Sequence, residues 1–267
     1  MVDKLQLILQ HAFEAPVWKM TLGDDTGRLI LSTRDADAHE VSYHALDLAT
    51  GELLWEGLGF EQSWWTELHY DQAGVLVFSL QEDSMNPENK TWFGIDANSH
   101  ELCWQLDDFH ATGLAGDYLT GWYRSTDEAG ALRYFELKSG REISAKALTL
   151  PKAEESANNV LQYPLHYSEE SEHFALFSKY LTRQLQVAPR GAVDYLETTE
   201  GVILSGYFAT GKKLENFLLV ISHEGDTLLY DTLGKNLSGL ASETFMLYQG
   251  QLWYMKNKNE LIGYAFG

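Results

Sequence analysis

Nine histidines, at positions 11, 39, 44, 69, 100, 110, 166, 173 and 223, are the side chains of this 267-residue chain best suited to holding a metal or moving a proton near neutral pH. A zinc site built from a local motif needs two of them at strand or helix spacing, as His-x-His or His-Glu-x-x-His, and no such pair occurs. They are read as solvated or structural histidines. Asp24-Asp25 and Asp35-Ala36-Asp37 gather oxygen donors, but a calcium loop needs a longer carboxylate ladder with a glycine and a final glutamate. Both lie at expected turns, where aspartate is favoured in any case. Glycoside hydrolysis needs two carboxylates across one bond, and among 39 acidic residues no pair stands out. A Gly-x-Ser-x-Gly elbow, a phosphate-binding loop and a dinucleotide fingerprint are all missing; Gly57-Leu58-Gly59 lacks the spacing. The expectation is therefore no catalytic residue, no metal ligand and no cofactor.

Cys103 is the single cysteine, which excludes an internal disulfide and any cysteine cluster; beside Trp104 in an apolar run it reads as a buried, inert thiol. The 39 acidic and 19 basic side chains leave a net charge of −20, which repels nucleic acid and anionic membranes and favours solubility. The first ten residues lack the apolar core of a signal peptide, and no window suits a membrane span. A cytoplasmic setting is expected, making the acceptor-like triplets at Asn89 and Asn236 chance matches. Trp64 and Trp65, adjacent at an expected strand start, should point to opposite faces, so at least one is a candidate for a binding surface. Packing between sheets is the plainer use of such rings.

The elements that must position these residues are short strands. Val41 to Leu48 suits a strand, Leu53 to Trp55 opens another, and Ala49-Thr50-Gly51 forms the turn between them, with Gly51 free to take positive φ and Asp47 able to accept backbone N–H groups. Trp55 follows four residues after the glycine and can cover a neighbouring turn. The pattern returns with Asp96, His100 and Trp104, and again with Glu136 and Gly140, at shifts of about 49 and 40 residues, a blade-like repeat. Four strands precede each turn-and-tryptophan signature or surround it: Val17–Met20, Leu29–Thr33, Val41–Leu48 and Leu53–Trp55; then Trp65–His69, Val75–Leu80, Thr91–Ile95 and Leu102–Gln105; then Ala111–Leu114, Tyr118–Tyr123, Leu132–Leu137 and Glu142–Ser144. A fourth unit, with strand-like Leu161–Tyr167 and Phe174–Tyr180, is irregular. The fifth runs Val193–Glu197, Val202–Tyr207, Phe217–Ser222 and Thr227–Asp231, with Gly225 as its hairpin glycine. The last has only Thr244–Tyr248, Gln251–Met255 and Leu261–Phe266, and the isolated strand Leu5–Leu9 can supply its fourth. No helix of ordinary length is expected.

The stretch Ala45-Leu46-Asp47-Leu48-Ala49-Thr50-Gly51-Glu52-Leu53-Leu54-Trp55 resembles the tryptophan-docking repeat of quinoprotein-like β-propellers at every specified position, and Gly94 to Trp104 and Tyr134 to Ser144 resemble it in part. The whole chain is similar to an uncharacterised bacterial family described as a domain of unknown function. The resemblance implies a propeller and no assigned activity; the quinone cofactor of the quinoprotein enzymes is not expected, since their adjacent-cysteine disulfide cannot form here.

The expected fold is thus all-β: a single β-propeller domain over residues 1–267, of about six four-stranded antiparallel blades with the fourth irregular, five or seven being the alternatives. The N-terminal strand closes the ring, and the irregular segment 150–160 is either a long loop between blades or the sole plausible domain boundary, a two-domain split being possible but not required. The expected function is a non-catalytic propeller that binds a protein or small ligand. The alternatives are an enzyme with loop residues at the central channel, and a structural subunit of an assembly.

Overall fold

The computed structural model describes residues 5–23, 27–82, 85–86, 88–123, 131–148, 161–241 and 244–267. Asp24-Asp25 and the whole of the expected irregular segment 150–160 lie outside them. In chain order the strands are β1 (Gln6–Ala12), β2 (Val17–Leu22), β3 (Arg28–Asp35), β4 (Glu40–Asp47), β5 (Leu53–Leu58), β6 (Thr66–Gln72), β7 (Val75–Gln81), β8 (Lys90–Asp96), β9 (Leu102–Leu106), β10 (Phe109–Ala115), β11 (Tyr118–Tyr123), β12 (Arg133–Glu136), β13 (Glu142–Ile143), β14 (Leu161–Gln162), β15 (Leu165–Ser168), β16 (Ala192–Glu197), β17 (Gly201–Thr210), β18 (Lys213–Ser222), β19 (Thr227–Leu237), β20 (Phe245–Tyr248), β21 (Gln251–Lys256) and β22 (Glu260–Ala265). Among the described residues one α-helix, α1 (Phe174–Leu185), interrupts them.

Every ladder is antiparallel, and the described strands form five sheets. Contacts divide the chain into two compact units, one comprising Ala15–Leu48 and Glu52–Glu155, the other Met1–Glu14, Ala49–Gly51 and Ser156–Gly267.

The first of these holds three meanders, β2-β3-β4-β5, β6-β7-β8-β9 and β10-β11-β12-β13. Its middle sheet is covered on both faces, which is why β7 reads as an unbroken apolar run rather than an alternation. Leu76 and Phe78 pack with Ile30, Val41 and Tyr43 of one neighbour, whereas Val75 and Val77 pack with Phe109, Leu119 and Phe135 of the other. The repeated turn works as its chemistry demands. Gly51, His100 and Gly140 have φ of 73°, 60° and 63°, and Asp96 Oδ1 accepts the N–H groups of Asn98 and Ser99 at 3.0 and 2.8 Å. Each tryptophan then seats on the following turn: Trp55 lies 4.8 Å from the His100 ring, edge to face, and Trp104 donates from Nε1 to the Leu137 carbonyl and lies where a Cβ at Gly140 would be. A buried ion pair joins two of the sheets, with Arg28 Nε and Nη2 donating to Asp71 Oδ2 and Oδ1 at 2.8 and 2.6 Å.

In the other unit the expected irregular blade is not a sheet of its own. β14 pairs with β20 and β15 with β16, so the residues from Leu161 to Ser168 extend two neighbouring sheets to five strands each. Phe174–Tyr180, expected as a strand, begins α1. Phe174, Phe177, Leu181 and Leu185 recur at three- and four-residue intervals, a helical stripe that the apolar content of a short run conceals. That stripe lies on Phe217, Leu219 and Ile221 of β18, covering a face on which another sheet would otherwise be needed. The opposite side chains of β18, Leu218 and Val220, pack with Phe245, Leu252 and Ile262 of the last sheet. That sheet's fourth strand is β1, which pairs with β22 from Gln6↔Ala265 to Ala12↔Glu260, the pairing expected for the N-terminal strand.

Three stability outcomes follow. Gly140→Ala places a methyl against Trp104 at positive φ, and chemical denaturation should register a loss of about 2–3 kcal/mol. Asp71→Ala removes the paired carboxylate acceptor from a guanidinium that is 8% exposed and should cost about 3–5 kcal/mol, whereas the double variant Arg28→Met/Asp71→Leu should recover most of that loss. Removing residues 1–10 opens the edge of β22 and should lower the thermal midpoint by several degrees; an unchanged transition would show that β1 adds nothing to the sheet.

Candidate functional site

Trp18 is the extra residue of a β-bulge. Val17 pairs with Thr33 and Lys19 with Ser32, leaving Trp18 without a partner opposite, and such an insertion re-aims a side chain out of the regular alternation. The indole is 69% exposed. On the next strand the Arg34 guanidinium carbon lies 4.9 Å from the centre of the Trp18 ring and 5.4 Å from that of Trp64. Arg34 Nε is sealed from solvent, and among the described residues it has no hydrogen-bond acceptor. His39, held at φ 56° in the β3–β4 turn, packs its ring 5.1 Å from Trp64.

Trp64 and Trp65 were expected at the start of a strand. They lie instead in a 3-10 turn, Ser63–Trp65, and β6 begins only at Thr66. Side-chain hydrogen bonds account for the turn: Val41 N donates to Ser63 Oγ at 3.0 Å, Thr66 Oγ1 to the Gln62 carbonyl at 3.0 Å, and Tyr43 Oη to the Thr66 carbonyl at 2.8 Å. The two rings are therefore not on opposite faces of a strand. Trp64 packs against the core and beside Arg34, while Trp65 is 45% exposed.

Below this aromatic group runs a narrow cleft between β2 and β6, lined by Trp18, Lys19, Arg34, Tyr43 and Glu67 among others. It leaves about 10 Å³ for the centre of a water-sized sphere, close to what one water molecule needs. Lys19 Nζ donates to Glu67 Oε1 at 3.0 Å and to the Leu68 carbonyl at 3.1 Å. His69 is 2.8 Å from Ser79 Oγ, 3.9 Å from Glu67 Oε2 and 4.5 Å, ring to ring, from Trp92. Burial pushes the His69 pKa down to about 4; Glu67 opposes this, and the Lys19 and Lys90 charges add to it. For Glu67 burial acts upward, but the hydrogen bond and charge of Lys19 prevail and its pKa is lowered. The Tyr43 hydroxyl is pushed up by burial, with Arg34 pulling the other way.

A second polar cluster lies in the other unit. His166 Nδ1 is 2.6 Å from Asp194 Oδ1, and Thr244 donates to Asp194 Oδ2 from Oγ1 at 2.8 Å and from its backbone N–H at 3.2 Å. Asp194 is buried. Among the described residues no group of three or more His, Cys, Asp or Glu side chains is arranged to hold a metal ion. Cys103 is only partly buried, and burial raises its thiol pKa. Asp35, one of the acidic residues weighed for calcium, spends Oδ1 on the N–H groups of Asp37 and Ala38, both at 2.9 Å. Sequence reasoning reached Trp64 and Trp65 but not Trp18, Arg34, Lys19 or Glu67. Pairing β2 with β3 as a hairpin would have brought Trp18 near Arg34; nothing local announces the bulge.

No helix among the described residues is long and apolar enough to cross a membrane. The chain matches no curated protein by sequence. Solved structures similar to it include the β-propeller domain of the trilobed protease from Pyrococcus furiosus, at 8% identity and a TM-score of 0.34 over 95% of this chain and 66% of that one. BamB from Moraxella catarrhalis is similar at 11% identity and a TM-score of 0.23 over 98% and 100%. A eukaryotic initiation factor is similar at 8% identity and a TM-score of 0.34 over 85% and 59%. The chain thus spans just under two thirds of the first and less of the third. At such scores the four-stranded meander is established by this chain's own ladders. Residues 22–104, which carry the best-formed turn-and-tryptophan repeats, match the family model described as Domain of unknown function (DUF4905).

Proposed function

We propose that the chain is a single, non-catalytic β-propeller domain, its sheets serving as blades and β1 closing the last of them, that binds a partner protein on the face carrying Trp18, Arg34 and Trp64. The observation that carries this reading is Arg34: a guanidinium beside two indoles whose Nε has no acceptor among the described residues, next to a tryptophan that a bulge pushes into solvent. Exposed aromatic rings beside an arginine are the side chains that contribute most to protein–protein contacts. The size of the cleft also supports contact at the surface, since a substrate pocket is tens of times roomier. His69, beside Glu67 but not lining the cleft, argues the same way, because an imidazole with a pKa near 4 is a poor base at neutral pH.

The His166–Asp194 pair favours a second reading, an enzyme, because a buried carboxylate that fixes an imidazole through Nδ1 is how a general base is oriented. No described hydroxyl or thiol is hydrogen-bonded to the other ring nitrogen, so a nucleophile is missing from that arrangement.

A hydrolase and oxidoreductase substrate screen separates the two: no turnover is expected, and an activity that Asp194→Asn removes would overturn the binding reading. Proton linkage offers a check on the burial of His69 beside Glu67. His69 titrates at about 6.5 when unfolded and about 4 when folded, so between those values the unfolded chain binds more protons. Stability is unaffected above pH 6.5 and falls, by about 2–3 kcal/mol in all, as the pH drops to 4. His69→Gln should remove that part of the slope in urea unfolding curves recorded across this window.

A further inference from the structure

Two indoles crowd the Arg34 guanidinium, so its in-plane N–H donors are the groups left to bond. Nε has no acceptor among the described residues and is shielded from bulk solvent. The carboxylate of the same cleft, Glu67, is held by Lys19 at 3.0 Å. Acidic side chains outnumber basic ones by two to one in this chain, 39 to 19, and still none described pairs with Arg34.

We propose that Arg34, framed by Trp18 and Trp64, anchors a single carboxylate presented by a peptide segment of net positive charge on a partner protein. This rests on the reading that this face binds a partner, and it names the chemistry of that partner. A guanidinium is a planar fork that fits a planar, two-oxygen acceptor, and bonds made where water is excluded are the ones that discriminate. The cleft that Arg34 helps to line has room for about one water-sized group, too little for a cluster of phosphates. A net charge of −20 repels polyanions and draws in cationic chains, so the carboxylate must arrive on a segment that is otherwise basic. The exposed faces of Trp18 and Trp65 offer that segment apolar contact and cation–π attraction.

The test is to pan a phage-displayed library of random linear peptides against the full chain, resynthesise the selected peptides with each Asp or Glu changed to its amide, and measure binding by calorimetry. Wild type, Arg34→Gln, Arg34→Lys and Trp18→Ala are compared, with thermal unfolding to confirm folding. Net-positive peptides with one indispensable acidic residue are expected. Changing that residue, or Arg34→Gln, should each weaken binding about tenfold or more, and the two together no further. Arg34→Lys, which keeps the charge and loses the fork, should also weaken it; if Arg34→Gln does not fold, this variant and the peptide change on wild type decide. The proposal falls if the selected peptides lack an essential carboxylate, if none is selected, or if inorganic polyphosphate binds more tightly than they do. Binding lost in Trp18→Ala but kept in Arg34→Gln overturns the carboxylate anchor and leaves the binding face standing; binding indifferent to both overturns both.

Discussion

The paired hydrogen bonds between Arg28 and Asp71 tie β3 of one sheet to β6 of the next in a place that water does not reach. Charges are taken out of water only when each end of the pair is satisfied, so the pair tolerates little change in the spacing of the sheets. Its consequence is felt toward the other end of the same strands. There Lys19 bonds to Glu67 and the Leu68 carbonyl, and the cleft opens beside Arg34. The buried pair and the half-exposed one act as two ties at different depths along β6. What lies between them is a small space of defined width.

Where the chemistry of a feature is local, it could be read directly from residue order. The turn at Gly51 and its copies at His100 and Gly140 need only a residue that accepts positive φ and an acidic residue before it, and all three adopt that backbone. The pairing of β1 with β22 was legible for a related reason: a last unit of three strands leaves a bare edge, and one strand at the other end of the chain had no partner. Features that depend on counting were harder. In Phe174 to Leu185 the spacing of four apolar residues, not their number, specifies a helix, and a run scored by content alone resembles a strand.

The site was the least legible part. Trp64 and Trp65 stand out in sequence, yet their placement depends on Val41, Ser63, Tyr43 and Thr66 meeting across two sheets. Arg34 becomes distinctive only by what is absent around it. A missing acceptor is a property of three-dimensional surroundings, and no spacing rule encodes it. His166 and Asp194 illustrate the same limit, for they are cross-strand neighbours separated by the whole of α1.

The bulge at Trp18 has a bearing on how such a surface could arise. Because side chains alternate along a strand, one inserted residue changes the orientation of those beyond it, and a bulge confines that change to a single position. Past Lys19 the pairing of β2 with β3 resumes without a break, through Met20↔Leu31 to Leu22↔Leu29. The sheet's ladder is therefore indifferent to whether the extra tryptophan is there. A protruding side chain of this kind can be gained or lost by a one-codon insertion or deletion while the register of the ladder beyond it is kept.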